Sequence, residues 1–467
     1  MLFFLGHQSP ASAPPKASSP VRLSETYELA NIILALTDYG KTDRWEVAQQ
    51  SAYYQQVRAY FAPYASHPLL TRVNYSREKW ESYLSFRTDA YAFSFDTNSR
   101  LVRTIDFHAN QGFNPFEEHL ELIHDFVKTT GFRRFYRDHL PYYQDLATAY
   151  LQSQRYGEMR HFLEREFGER PEIATYAIVV SPLVGRMNCH RIVAGVGTDF
   201  ISLPDFLLTG KAPHTVTQAE IASGTHMLFT ELDHAFVNPL TYQHRALLRA
   251  NFTVTKWDKG SGYDKDSVST FNEYMTWAVY DLYVQTYFPA VAANVSQDWA
   301  LQNATRGFFA SSLVNQELTH LYNNRRRGQT IRDLYPALVK RLGIRQASLS
   351  QPAITDFSFD NQTVTDSITT VILHFSEPMT PCQSLDLIRV VEQGGSARQD
   401  RLVLTPETNK LVWTAQNTTL LFTLPLLNGA VNTLVFNYPW KTQITLRNSK
   451  GVDLPPYSRI NIKVATN

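Results

Sequence analysis

The stretch Thr230-Glu231-Leu232-Asp233-His234 sets a glutamate three residues before a histidine, within a run that has helical spacing. In the pattern H-E-x-x-H on a helix, two histidines lie one turn apart and bind one Zn²⁺, while the glutamate acts as general base on the metal-bound water. Here the glutamate and the second histidine are present, and Thr230 occupies the place of the first histidine. A threonine hydroxyl is a poor ligand for Zn²⁺, so the sequence predicts a zinc-site scaffold with one ligand missing.

The helix that carries this stretch has sequence signals at both ends. Thr217 and Glu220 form the capping-box pattern T-x-x-E that begins helices. Asn238-Pro239 predicts the end of the helix, because proline disfavours helical geometry in the residue before it. We therefore expect one helix over residues 217–237.

A third metal ligand would come from a later helix, and Glu273 is the natural candidate because its segment has helical spacing. His226 is a poor substitute for Thr230. Eight residues of helix separate it from His234 by about 12 Å, whereas Zn–N bonds are about 2.0–2.1 Å long. The glycine-rich segment 259–263 lies between the two helices, and it is interpreted either as a surface connection or as a lid over the cleft.

Asn238 and Asp233 are further candidates for the same cleft. Asp233 is adjacent to His234 and points about 100° away from it around the helix, which favours a place behind the ligands or at the surface. The alternative is that another side chain replaces Thr230 as a ligand. The candidates for that replacement are Asp233, His190, His214 and His244.

The composition is that of an ordinary globular protein. The chain has 467 residues, 43% of them hydrophobic, with a mean hydropathy of −0.28 and a formal net charge of +1. This charge gives no electrostatic case for binding nucleic acid, and no stretch approaches the roughly 20 apolar residues of a membrane span. Cys189 and Cys382 fall in different predicted domains, which argues against a disulfide. Nothing in the sequence points to a particular oligomeric state.

The first three quarters of the chain are predicted to be mostly helical. Residues 1–23 are interpreted as a signal remnant or a disordered tail, because an apolar run at 2–5 is followed by an A-x-A pattern at 11–13. Residues 24–347 are predicted as one helical domain with a short β portion at 174–180 and 190–196. The predicted helices are 25–39, 44–61, 115–128, 132–167, 217–237, 268–288, 299–322 and 331–342.

The pattern changes near residue 350. From Ala353 onward, short runs alternate apolar and polar residues and are separated by turn residues. Seven such runs in about 115 residues predict an all-β sandwich over 353–467. The predicted strands are 354–359, 370–375, 387–392, 410–414, 420–424, 433–438 and 460–464. The fold class is therefore α+β, with a mostly helical N-terminal domain before the sandwich.

The stretch 228–239, L-F-T-E-L-D-H-A-F-V-N-P, resembles the motif region of a bacterial family called domain of unknown function 4932. That family reads H-E-x-x-H followed by aromatic or apolar residues and Asn-Pro, and the likeness covers about residues 24–345. The family looks like the gluzincin metallopeptidases, which bind zinc with two histidines and a downstream glutamate. The resemblance implies that Glu231 is the general base and that His234 and Glu273 are metal ligands. Thr230 departs from the family pattern at the first ligand position.

His374-Phe375-Ser376-Glu377-Pro378-Met379 resembles the F-S-E-P-M signature of bacterial Ig-like domains of the SbsA type. Such domains occur on exported and cell-surface proteins as spacers or adhesion modules. The resemblance implies an Ig-like sandwich in the C-terminal domain. It also implies a location that is secreted, periplasmic or at the cell surface.

The sequence favours an exported, metallopeptidase-like protein with a degenerate zinc motif, non-catalytic or weakly active, that binds peptide or a cell-surface polymer. One alternative is an active zinc-dependent peptidase in which another residue replaces the missing ligand. A second alternative is a cell-surface structural or adhesion protein. Zinc is the cofactor that the motif predicts, but Thr230 at the first ligand position argues against zinc binding. The pattern E-x-x-H also arises by chance, so Glu231 and His234 could be ordinary polar residues of a helix surface.

Overall fold

The computed structural model describes residues 19–109, 113–169, 176–359, 362–365 and 368–466. Helices make up about 48% of the described residues and strands about 20%, with helices dominating the N-terminal part and sheets the C-terminal part. The predicted α+β class is confirmed at this level. The apolar run at 2–5, the A-x-A pattern at 11–13 and the start of the strand predicted at 174 lie outside the described residues.

The chain divides into two compact units. The first comprises the described residues up to Tyr150 and those from 176 to Leu203, and the second comprises the described residues from Leu151 to 169 and those from Pro204 onward. The second unit therefore joins later helices to the β-rich C-terminal region. The domain bounds expected from the sequence, 24–347 and 353–467, stay a prediction.

The first unit has a helical core rich in phenylalanine and tyrosine. Its first helix begins at an N-cap, because the Ser24 side chain accepts a hydrogen bond from the Tyr27 N–H. Eleven of the twelve residues of this helix are buried, so packing on all sides holds it. The helices are α1 (Glu25–Leu36), α2 (Ala52–Phe61), α3 (Pro68–Arg72), α4 (Trp80–Ala90), α5 (Leu120–Thr130) and α6 (Phe132–Gln154).

Two small sheets complete the first unit. The strands are β1 (Val21–Arg22), β2 (Phe93–Phe95), β3 (Leu101–Arg103), β4 (Ala177–Val180), β5 (Cys189–Val193) and β6 (Val196–Ile201). β2 and β3 form a hairpin, and the other four strands form a sheet in the order β1-β4-β6-β5. The strand predicted over 190–196 is in fact a hairpin, because Ala194 and Gly195 take positive φ values of 48° and 78° and reverse the chain.

The second unit contains the helix with the motif. Its helices are α7 (Tyr156–Phe167), α8 (Asp205–Leu208), α9 (Gln218–Gly224), α10 (His226–Gln243), α11 (Arg245–Asn251), α12 (Val254–Trp257), α13 (Ser267–Tyr287), α14 (Ala292–Thr305), α15 (Ser311–Asn323), α16 (Ile331–Arg345) and α17 (Pro406–Asn409). The predicted capping box is confirmed, since Thr217 and Glu220 exchange side-chain and backbone hydrogen bonds at the start of α9.

The single helix predicted over 217–237 is wrong at two points. It is divided at Thr225 into α9 and α10, and α10 continues through Pro239 to Gln243. Tertiary packing overrides the proline here. Leu240 and Thr241 beyond it are buried, and the Tyr335 hydroxyl donates to Thr241 Oγ1 at 2.9 Å. The helix that follows the proline therefore has enough partners to persist.

Two sheets form the C-terminal part of the second unit. The strands are β7 (Ile354–Phe357), β8 (Thr363–Val364), β9 (Ile368–Phe375), β10 (Leu385–Gln393), β11 (Ser396–Leu404), β12 (Val412–Thr414), β13 (Thr419–Pro425), β14 (Val431–Phe436) and β15 (Ser458–Val464). One sheet has the order β11-β10-β14-β15-β8 and the other β12-β13-β9-β7. Leu373 and Phe422 of one sheet share a buried core with Leu387 and Ile460 of the other, so the predicted sandwich architecture is confirmed.

Direct contacts join α14 and α15 to the sandwich within the second unit. The Trp440 backbone N–H donates to Asp298 Oδ1 at 2.7 Å, and the Trp440 ring packs edge-on against Trp299. The Ser312 hydroxyl donates to the buried Asp453. These contacts explain why the helices and the sandwich fall in one compact unit. No helix in the described part of the chain is long and apolar enough to cross a membrane.

Candidate functional site

α10 and α13 pack against each other in antiparallel directions. His234, in the second half of α10, faces Glu273 near the start of α13. His226, at the start of α10, packs against Tyr280 further along α13. Phe229 also packs against Tyr280 and stacks on Tyr283, about one turn further along α13. The pairing of the two helices therefore determines which side chains of the motif meet a partner.

The structure brings the two predicted metal ligands together. His234 Nε2 and Glu273 Oε1 are 3.6 Å apart, with side chains 18% and 14% exposed. His234 Nδ1 lies 3.2 Å from Asn238 Oδ1. Because this amide oxygen is an acceptor, the hydrogen bond assigns the donating role to Nδ1. Asn238 is therefore a positioning residue that orients the imidazole.

Thr230 does not complete a three-ligand zinc site. The residue is 6% exposed, and its hydroxyl donates to the Met227 carbonyl oxygen at 3.2 Å, within its own helix. Two donors bound to one tetrahedral Zn²⁺ at about 2.0–2.1 Å stand roughly 3.4 Å apart, which His234 and Glu273 approach. Across the described residues, no three His, Cys, Asp or Glu side chains form a group that could hold a metal. His234 and Glu273 therefore have a separation close to that of two zinc ligands, whereas the Thr230 hydroxyl is bonded within its own helix.

Tyr263 lies near Glu231 and Glu273, and we call the surface that these three residues form with His234 the candidate cleft. The carboxylate of Glu273, then burial, then the carboxylate of Glu231 raise the pKa of Tyr263 to about 12, while the charge of Arg306 opposes this rise. The phenol is therefore close to both carboxylates and stays protonated at neutral pH. It offers the cleft a hydrogen-bond donor that the sequence analysis did not identify.

The glycine-rich segment 259–263 is a fixed connection in this structure. The Thr270 hydroxyl donates to the Tyr263 carbonyl at 2.8 Å, and the Lys259 N–H donates to the Gly307 carbonyl at 3.0 Å. Gly307 has φ +100°, and a Cβ there would lie 2.7 Å from the Ser261 nitrogen. Only glycine allows this close approach. The segment is thus bonded at both ends, which favours the surface connection over a lid.

Arg306 lies beside Tyr263. Its guanidinium carbon is 5.4 Å from the centre of the Trp277 ring and 5.8 Å from that of Phe308. The Tyr263 ring lies 5.8 Å from the same Phe308 ring. Sequence reasoning missed Arg306, and it considered segment 259–263 as a lid or a surface connection without giving Tyr263 a role of its own, because both residues lie outside any recognisable motif. The proximity of the glycine-rich segment to the motif helix was the only signal.

Asp233 and His226 lie away from this cleft. Asp233 is fully buried, and burial raises the pKa of its carboxyl well above the usual range, which the hydroxyl of Thr276 opposes. His226 is stacked on Trp299 at 3.5 Å, and burial lowers the pKa of its imidazole well below the usual range. Asp233 is therefore not a surface group, because the face of α10 next to His234 packs into the core.

The remaining candidate histidines have other surroundings. His190, in the first unit, lies 2.6 Å from Asp199. His214 is exposed in a short 3₁₀ turn, and His244 stacks on Tyr335 after the last residue of α10. Among the described residues, His214 and His244 thus have neighbours other than His234 and Glu273.

The family model described as "Domain of unknown function (DUF4932)" matches residues 21–341, more than half of the chain. The chain belongs to this family. The DUF4932 region contains both α10 and α13, and hence every residue of the cleft named above. The sandwich after residue 353 lies outside this region.

Solved structures give only remote similarity. The S-layer protein SbsC, as the fragment 31–844, is 13% identical with a TM-score of 0.18; the match covers 52% of this chain and 33% of that one. The N-terminal part of the bacterial S-layer protein SbsC is 12% identical with a TM-score of 0.18, over 52% and 57%. The chain thus spans between a third and somewhat over half of these structures, and such scores carry no argument. No curated protein matches the chain.

Proposed function

We propose that this DUF4932 protein is metallopeptidase-like and binds peptide or another polymer beside His234 of α10 and Glu273 of α13, without hydrolysing it. The observation that carries the proposal is the state of Thr230. Its hydroxyl is buried and bonded to the Met227 carbonyl, at the position where the zinc motif requires a ligand. Losing one of three protein ligands removes most of the affinity for zinc, and with it the activated water.

The rest of the cleft supports binding. Glu231 and Glu273 supply carboxylate acceptors for the N–H groups of an extended ligand, and the protonated Tyr263 supplies a donor for its carbonyl groups. The side chains of His234 and Glu273 remain partly exposed, so a ligand can reach them. A polymer backbone that alternates donors and acceptors matches this arrangement.

A second candidate function is an active zinc-dependent peptidase with a compensated ligand. What favours it is the 3.6 Å separation of His234 Nε2 and Glu273 Oε1, which suits two ligands of one ion. His234 and Glu273 would hold the metal, and Glu231 would act on the water that it supplies. The third protein ligand would have to be a residue that does not contact His234 or Glu273 in this structure and that moves toward them when the metal binds.

The two candidates are separated by one experiment with a random hexapeptide library. The full chain is incubated with the library, retained peptides are identified by mass spectrometry, and shorter products are counted. We expect retention without cleavage, weakened in Glu273→Gln and unchanged in Glu407→Gln, whose side chain is exposed in the sandwich. Zinc-dependent cleavage that disappears in Glu231→Gln would overturn the non-catalytic proposal, and absence of any retained peptide would overturn the binding proposal.

We also propose that the sandwich is an Ig-like domain of the SbsA type and that the protein is exported. The F-S-E-P-M segment supports this, since Phe375 ends β9, Met379 is buried in the sandwich core and Glu377 pairs with Lys450 at 2.9 Å. Cell fractionation with an antibody against the full chain tests export. Recovery in the cytoplasmic fraction alone would contradict it.

A further inference from the structure

Arg306 presents an unpaired positive charge beside the cleft. Its side chain is exposed, and no carboxylate in the described part of the chain forms an ion pair with it. It nevertheless has a defined place, because the guanidinium lies over the buried rings of Trp277 and Phe308. Cation–π contacts of this kind orient an arginine while its N–H groups remain free to bind an anion.

The position of Trp277 on α13 shows how far the Arg306 guanidinium lies from Glu273. Trp277 and Glu273 are four residues apart on α13, so they lie on the same face, about 5–6 Å apart at Cβ. The guanidinium above Trp277 is therefore about one helical turn from Glu273 and its partner His234. Tyr263 lies near both groups: its ring is 5.8 Å from Phe308, which Arg306 also contacts, and the charge of Glu273 raises the pKa of its hydroxyl.

We propose that Arg306 binds the terminal carboxylate of a peptide, so that the cleft selects the carboxyl-terminal end of its ligand. This inference rests on the proposed peptide binding beside His234 and Glu273. A bidentate guanidinium–carboxylate pair is the strongest contact available to an exposed arginine. One residue of extended chain spans about 3.3–3.6 Å. A carboxylate at Arg306 therefore puts the last peptide bond near Glu273, His234 and Tyr263.

The charges of the cleft also determine the direction in which a peptide lies. Glu231 and Glu273 repel a carboxylate and accept backbone N–H groups, whereas Arg306 attracts a carboxylate. A peptide with a free carboxyl terminus places that terminus at Arg306 and its preceding N–H groups toward the glutamates. A peptide whose carboxyl terminus is amidated has no charge to pair with Arg306, so the guanidinium stays solvated.

The test uses two random hexapeptide libraries that differ only at the carboxyl terminus, one as free acids and one as amides. The full chain and the variants Arg306→Gln and Arg306→Lys are compared by affinity selection. Arg327→Gln, which removes an exposed arginine after α15, is the matched control. Thermal unfolding verifies that each variant folds as the wild type does.

We expect the wild type and Arg327→Gln to bind free acids at least about tenfold more tightly than amides, which corresponds to about 1.4 kcal/mol. Arg306→Gln should bind both libraries equally, and Arg306→Lys should keep part of the preference. Equal binding of acids and amides by the wild type overturns the assignment of Arg306 and leaves the peptide-binding proposal standing. If amidated peptides that contain an internal aspartate bind as tightly as free-acid peptides, Arg306 recognises any carboxylate. That result would overturn the proposal that the site selects the carboxyl terminus. Failure of both libraries to bind overturns the proposed function itself.

Discussion

The two histidines of α10 stand two turns apart on one helix in opposite surroundings. His234 is partly exposed, is oriented by Asn238 and faces Glu273. His226 is buried between Trp299 and Tyr280, and neither ring nitrogen has a hydrogen-bond partner among the described residues. The difference shows that residue type and spacing do not define a site. The neighbours from α13 and α14 decide which histidine can do chemistry and which one packs as an aromatic ring.

The largest expected difference between the two histidines is in their contribution to the free energy of unfolding. His226→Ala removes a ring from a closed aromatic stack, and we expect it to lower the free energy of unfolding by about 3 kcal/mol. His234→Ala removes a partly exposed ring and should cost under about 1 kcal/mol. Urea unfolding followed by tryptophan fluorescence measures both. A larger loss in His234→Ala than in His226→Ala would mean that the roles of the two histidines are reversed.

Acidification should sharpen the contrast. Because burial lowers the pKa of folded His226, the unfolded chain binds a proton below the ordinary pKa of 6.5 that the folded chain does not. Stability should therefore fall as the pH drops below 6.5, by about 1.4 kcal/mol per pH unit. His226→Phe keeps the stack and removes this contribution. His214→Gln, which removes an exposed imidazole, is the matched control, and an acid slope unchanged in His226→Phe would contradict the assignment.

A smaller effect is expected at Asp233, next to His234 but on the buried side of α10. Burial raises the pKa of its carboxyl, so its stabilising contribution is present below pH 3.8 and is lost as the pH rises through the raised value. Asp233→Asn removes this loss and should raise the free energy of unfolding at pH 7 by about 1–2 kcal/mol. Glu231→Gln, in the cleft, should change it by less than about 0.5 kcal/mol. Urea midpoints at pH 5 and pH 7 measure both, and a destabilised Asp233→Asn would count against this account.

Strong local patterns predicted much of the helical fold. α1, α13 and α16 lie close to the helices expected at 25–39, 268–288 and 331–342, because apolar spacing and caps agree there with tertiary packing. The long helix predicted over 132–167 is interrupted at Arg155, which takes φ 54° although it is not a glycine. The helix predicted over 44–61 begins only at Ala52, where Ser51 caps it.

The missed strand β11 shows a second limit. Its sequence, S-A-R-Q-D-R-L-V-L, is mostly polar, since it lies at the edge of its sheet. It pairs with β10 through the Gly394-Gly395 turn and through ion pairs such as Arg401 with Asp386 at 2.7 Å. Polar edge strands lack the alternation that identifies strands from sequence alone.

The candidate site likewise has one part that was predicted from the sequence and one part that was missed. The pairing of His234 with Glu273 was predicted, because each lies on a helix with clear spacing. Tyr263 and Arg306 were missed, because the turn at Gly307 and the segment 259–263 bring them to the cleft through backbone contacts that depend on the whole fold. The roles of Glu231, His234 and Glu273 in catalysis or metal binding stay predictions.

The central claim is that Thr230 leaves this cleft with two of three zinc ligands, and zinc content measures it most directly. The full chain is purified without a metal affinity column, incubated with zinc, desalted and analysed by mass spectrometry. We expect much less than one zinc per chain in the wild type and about one in Thr230→His, lost again when His234→Ala is added. Met227→His, which adds a histidine to α10 too far from Glu273, should bind none. One zinc per wild-type chain, lost in His234→Ala, would contradict the claim.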